Sequence, residues 1–163
     1  MVTTEKNSGV KDMRLELDPP RGVGDLRFGM QIDIAERILG GMPGFVPPAP
    51  GERRNKGFAH YESHLSISLD FDSVGIVRGV EIFRPERDVQ VVFQGTSVFE
   101  EPADIVISRL SQNFRLEIED DGLNVVAPEV FIGLWRSMLP DAADDVSGRY
   151  FESVLVAAPG YGV

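Results

Sequence analysis

The run Leu65-Ser66-Ile67-Ser68-Leu69-Asp70-Phe71-Asp72 alternates apolar and polar residues without a fault. Successive side chains on a β-strand point to opposite faces, so this pattern specifies a strand with one buried face and one wet face. Leu65, Ile67, Leu69 and Phe71 are predicted inward. Residues 73–75 read as a turn, and residues 76–83 return with Val80 and Ile82 inward, which makes an antiparallel hairpin. A chain with this hairpin must build its core on one face of a sheet.

Other segments extend that sheet. Residues 14–18, 89–93, 114–118, 123–126, 130–136 and 150–157 all read as strands, and Asp121-Gly122 is a hairpin turn signal between two of them. Two segments carry helical periodicity instead. Residues 31–39 place Ile34, Ala35, Ile38 and Leu39 on one face, and Gly40 ends them. A second helix is expected to open with Pro102 as its first helical residue, with Ile105, Val106 and Leu110 apolar and Glu100 and Glu101 just ahead, where negative charge suits the helix dipole. The fold class is therefore α+β, a mainly antiparallel sheet with two short helices. Residues 1–12 read as a disordered N-terminus and residues 13–163 as one domain.

The order of elements occurs twice, which suggests repeat halves at residues 13–88 and 89–163. Asp33-Ile34-Ala35-Glu36-Arg37-Ile38-Leu39 aligns with Asp104-Ile105-Val106-Ile107-Ser108-Arg109-Leu110, and Ile67-Ser68-Leu69-Asp70 runs alongside Ile132-Gly133-Leu134-Trp135. Within the first half, residues 40–58 hold five glycines, four prolines and the basic residues Arg53, Arg54 and Lys56. Loops of this length are uncommon, and residues 42–56 are expected to be mobile, with limited proteolysis cutting first at Arg53, Arg54 or Lys56.

The opening Phe28-Gly29-Met30, followed by Ala35 and Ile38-Leu39-Gly40, resembles the start of small modules of the SmpA/OmlA and β-lactamase-inhibitor-protein-like type. The pair Phe71-Asp72 and Gly75-x-Val77 is similar to their second strand pair, and the same opening occurs in uncharacterised actinobacterial proteins. The resemblance implies a helix laid on an antiparallel sheet and used to bind other proteins, with no catalytic residue. Those modules are exported and often carry cysteines. This chain has no cysteine and shows no apolar stretch after Lys6 and Lys11, so cytoplasm is the expected compartment.

Motifs with chemistry are few. His60-x-Glu62-x-His64 has the look of a metal site, but on a strand the two histidines stand about 13 Å apart, too far to share an ion. An exposed strand end is the plainer reading. Asp70 and Asp72 share a strand face without the further ligands of a calcium loop. There is no nucleophile elbow or phosphate-binding glycine loop, and Gly22-Val23-Gly24 lacks the third glycine of a dinucleotide fingerprint. No metal, cofactor or catalytic residue is assigned.

Charge is the remaining signal. The formal net charge is −10, and residues 100–145 account for −8 of it. That field disfavours nucleic acid and anionic lipid and favours a basic partner or simple solubility. Asp120, Asp121, Asp141, Asp144 and Asp145, with Glu119, are expected to form one negative surface at the ends of the 130–136 strand. Trp135, Phe131, Phe151 and Tyr150 lie on strands and are expected in the core. Trp135 and Arg136 nevertheless suit a partner-binding role, and alternation turns one of them outward. The leading expectation is a non-enzymatic protein-binding domain of the immunity or inhibitor kind. The alternative is a small enzyme or ligand-binding domain with a site between the 42–58 loop and the sheet, built from His60, Glu62 and Arg53 or Arg54.

Overall fold

The computed structural model describes residues 13–160, so the expected disordered N-terminus lies outside the described residues. The alternating run forms a strand, β6 (Ser66–Phe71), paired antiparallel with β7 (Val77–Phe83). Leu65, Ile67, Leu69, Val80 and Ile82 are buried, as their parity requires. Asp72 builds the turn between the two strands. Its Oδ1 accepts the backbone N–H groups of Val74 and Ile76, at 3.1 and 2.9 Å.

Six more strands extend this hairpin into an eight-stranded sheet. They are β4 (Phe45–Val46), β5 (Phe58–Tyr61), β10 (Glu117–Glu119), β11 (Asn124–Ala127), β12 (Ile132–Trp135) and β13 (Ser153–Ala157). The spatial order is β10-β11-β12-β13-β7-β6-β5-β4, and every neighbouring pair is antiparallel. The order reads outward from a β13–β7 seam, with four strands from each half of the chain. The two matched sequence segments sit at equivalent places in it, β6 beside β7 and β12 beside β13.

A smaller five-stranded sheet joins the halves a second time. Its order is β3-β2-β1-β8-β9, from β1 (Met13–Asp18), β2 (Gly22–Val23), β3 (Leu26–Arg27), β8 (Val89–Phe93) and β9 (Thr96–Ser97). β1 and β8 pair in parallel, with Leu15 opposite Val91. Each sheet therefore needs strands from both halves.

Helices α1 (Ile32–Gly41) and α2 (Ala103–Ser111) supply the rest of the core. Each buries residues at the same spacing, Ile32, Ala35 and Leu39 in one and Ala103, Val106 and Leu110 in the other. This shifts the expected stripes, since Ile34 and Ile105 point to solvent. Pro102 stands at the N-cap of α2, one position before the expected place. The buried Tyr61 hydroxyl donates to the Leu39 carbonyl at 2.7 Å and ties α1 to β5. Among the described residues no helix is long and apolar enough to cross a membrane.

Three further expectations are revised. Residues 114–118 contain only the start of a strand, while Phe114 and Leu116 pack against the core ahead of β10. Pro128–Val130 is a 3-10 turn, which shortens the expected 130–136 strand. The 42–58 segment is anchored rather than free. β4 pairs with β5, the Arg54 guanidinium donates to the Val46 carbonyl at 2.7 Å, and Gly57 N–H donates to Glu36 at 2.8 Å. The Arg54 side chain is only 9% exposed, which removes it from the expected cleavage sites.

Asp18 closes the end of β1 by receiving hydrogen bonds from Arg21 and Arg27, both at 2.8 Å. These bonds, Arg21's first, hold its carboxyl well below the usual value of 3.8, at about 2. A depressed carboxyl stabilises the fold above its unfolded value and loses that contribution as pH falls through its folded value. Asp18→Asn is therefore expected to melt below the wild type at neutral pH, with the gap closing between pH 4 and pH 2. Melts across that range check this, and a gap that stays constant would show that the clamp carries no charge contribution.

Candidate functional site

Strand parity sends one set of side chains from the eight-stranded sheet toward the helices and the other set away from them. One inward row crosses the sheet through Val125, Leu134, Val154, Ile82 and Ile67, all buried in the common core. The opposite face has a row through Asn124, Trp135, Ser153, Phe83 and Ser66. The neighbouring row runs through Val126, Gly133, Leu155, Glu81 and Ser68. Trp135, Phe83, Leu155 and Val126 neither belong to the core cluster nor pack against it. This face thus carries an apolar strip at the centre of the sheet, with Trp135 exposed and Phe83, Leu155 and Val126 half-buried.

Along the strip lies a groove of about 460 Å³, walled by Trp135, Phe83, Val126 and Leu155 and floored at Gly133. Two polar groups enter it unused. Glu81 is half-buried and makes no ion pair or hydrogen bond through its side chain among the described residues. Ser153 is 3% exposed, and its hydroxyl likewise has no partner among them. The acids around the groove differ in this respect, since Glu117 is paired with Arg115 at 2.9 Å and Asp120 accepts from Asn124 at 3.0 Å.

Trp135 is 41% exposed, against the expectation of a core position, while Arg136 is turned inward and only 5% exposed. Of the other aromatics placed in the core, Phe151 is fully buried but Phe131 is partly exposed at a 3-10 C-cap. Tyr150 is half-buried, its ring 4.5 Å from the Arg84 guanidinium.

Arg136 offers no free guanidinium to a partner. Its Nε donates to the Gly122 carbonyl and its Nη1 to the Gly148 carbonyl, each at 3.0 Å, and the group lies 5.5 Å from the centre of the Phe151 ring. These bonds join the Asp120–Gly122 turn to the 141–148 loop, so one buried cation holds the two acidic segments at the same end of the sheet as Trp135. Asp120, Asp121, Asp141 and Asp144 are exposed there. Asp145 is occupied within its own loop, where it accepts from the N–H of Asp141 and of Ser147 at 3.1 and 2.9 Å. Those two bonds, Asp141's first, lower its pKa.

The residues of the alternative site are not brought together. His60 Nδ1 bonds the Ser66 hydroxyl at 2.8 Å, whereas His64 lies in the following turn and pairs with Glu86 at 2.8 Å. The small cavity under the 42–58 segment, about 180 Å³, is lined by Glu36, Arg54 and Phe58 but not by His60, Glu62 or Arg53. Its two charged groups are engaged, Glu36 by Gly57 and Arg54 by Glu52 and Val46. Among the described residues no group of three histidines or acids is placed to hold a metal ion. A larger hollow of about 720 Å³ lies between the start of α2 and the acidic loop, and its Arg149 is spent on loop carbonyls.

Sequence reasoning missed Phe83, Glu81, Val126, Leu155 and Gly133. A signal existed for two of them. Val125-Val126 and Val154-Leu155-Val156 are apolar without alternation, which marks strands with two apolar faces. Comparison with family models, with curated proteins and with solved structures finds no match.

Proposed function

We propose that this chain is a non-enzymatic protein-binding domain, of the immunity or inhibitor kind, whose working surface is the open face of the eight-stranded sheet with the acidic loops beside Trp135. The observation that carries this reading is the uncovered apolar strip. An exposed tryptophan among half-buried apolar side chains with no element packed over them marks an interaction surface more often than a solvated one. Eight strands spaced about 4.8 Å apart give a face about 34 Å wide, ample for an ordinary interface. The acidic loops at its end would steer a basic partner and raise its association rate. The resemblance of the Phe28-Gly29-Met30 segment to protein-binding modules points the same way.

The test uses immobilised wild-type chain and a Trp135→Ala variant, each exposed to extract from the source organism. A partner is expected on the wild type, and its affinity for the variant should fall by about thirtyfold or more, the mark of a hot-spot tryptophan. Replacing Asp120, Asp121, Asp141 and Asp144 by Asn should slow its association, and added salt should do the same, because exposed charges are screened within about 10 Å at 0.1 M. A partner held equally by wild type and Trp135→Ala would place the binding surface elsewhere.

A further inference from the structure

We propose that the groove beside Trp135 is an arginine pocket, which takes the guanidinium of an arginine side chain presented by a protein partner. The inference rests on the protein-binding reading and specifies the chemistry of its anchor. The groove exists because β12 has Gly133 where its neighbours carry side chains. A Cβ at that position would meet nothing within 4 Å, so the space above it is open. Leu155 separates Gly133 from Glu81 in one row, and Ser153 separates Trp135 from Phe83 in the next. Strands β12 and β7 are therefore about 10 Å apart, with two aromatic rings on one line and a carboxylate beside them.

What the groove lacks defines its guest. A half-buried carboxylate with no cation is an acceptor awaiting a charged donor, and the buried hydroxyl, which both donates and accepts, has lone pairs for a second one. Buried acceptors of this kind are normally satisfied, so the guest must bring N–H groups and positive charge. The aromatic walls require a surface that stacks. A guanidinium meets all three demands, since it is planar, always charged, carries five N–H donors and lies well against Trp and Phe rings. An ammonium is a compact, strongly hydrated point charge and uses the rings less well. Arginine rather than lysine follows. The side chain is assigned to a protein because the exposed Asp120, Asp121, Asp141 and Asp144 at the same end of the sheet complement a basic surface around it.

Trp135 is the only tryptophan, so intrinsic fluorescence reads the groove directly. The probe is the peptide acetyl-Ala-Leu-Arg-Leu-Ala-amide, titrated into the full chain beside versions with lysine, norleucine or glutamate at the centre. A saturable change is expected with arginine, roughly tenfold weaker with norleucine and absent with glutamate. Glu81→Gln should weaken the arginine response by a similar factor. Gly133→Leu should fill the groove and abolish the response, with circular dichroism confirming the fold. Should Gly133→Leu fail to fold, Glu81→Gln decides alone. No saturable response to arginine, an equal response to norleucine, or an undiminished response in Glu81→Gln overturns the pocket. An equal response to lysine overturns the guanidinium assignment. A partner lost on Trp135→Ala but indifferent to Glu81→Gln would leave the binding face standing and remove the arginine pocket.

Discussion

Arg136→Ala is expected to destabilise the fold by about 3–5 kcal/mol, a large part of the total for a domain of this size. The guanidinium is buried and spans two carbonyls from loops that, among the described residues, share no other side-chain hydrogen bond. Removing it leaves the Gly122 and Gly148 oxygens short of donors and opens space against Phe151. Arg136→Lys should recover only part of the loss, because one ammonium on a flexible stem does not reproduce a rigid fork. Urea melts with a two-state fit measure the first effect, and hydrogen exchange over residues 119–123 and 141–149 measures the second. Full stability in Arg136→Ala would mean that water replaces both bonds and that the loops hold themselves.

Gly22→Ala should be comparably severe, about 3–5 kcal/mol, from two sources that act together. Gly22 has φ +146°, a region that side chains rarely enter, and an added Cβ would land on the Leu26 carbonyl across the β2–β3 turn. Gly24 provides the control. Its φ is +53°, but a Cβ there meets nothing within 4 Å. Gly24→Ala should lose about 1 kcal/mol, from the left-handed backbone alone. Thermal melts of the two variants separate steric overlap from backbone preference, and equal losses would show that the overlap is relieved by a shift of β3.

The hairpin and both helices were legible because their signals are local. Leu65–Phe71 alternates over a whole strand, and α1 and α2 repeat their buried residues at three and four positions. The exact stripe was not, since Ile32 and Ala103 lie at the very starts of their helices, where periodicity has nothing before it to count from. β2, β3, β4 and β9 have two residues each, too few to show a period. The parallel pairing of β1 with β8 and the central place of β13 are choices of partner, which no segment carries by itself.

The candidate site divides the same way. Asp120, Asp121, Asp141 and Asp144 were found as charges, and Trp135 was found as the one tryptophan. Its direction was misjudged from size. Ile132 and Leu134 share one parity and claim the core, and Trp135 takes the other with Gly133. Glu81 was equally visible in sequence, but its significance depends on Leu155 and Ser153, which reach it only across the seam.

The place of β13 has a consequence for how the chain is made. β7 leaves the ribosome early, and its free edge stays open until Ser153–Ala157 follows. At about 5–20 residues per second, the stretch between Phe83 and Ser153 takes several seconds to synthesise. Throughout that interval the growing polypeptide displays an apolar, unpaired strand that a neighbour on the same messenger could capture.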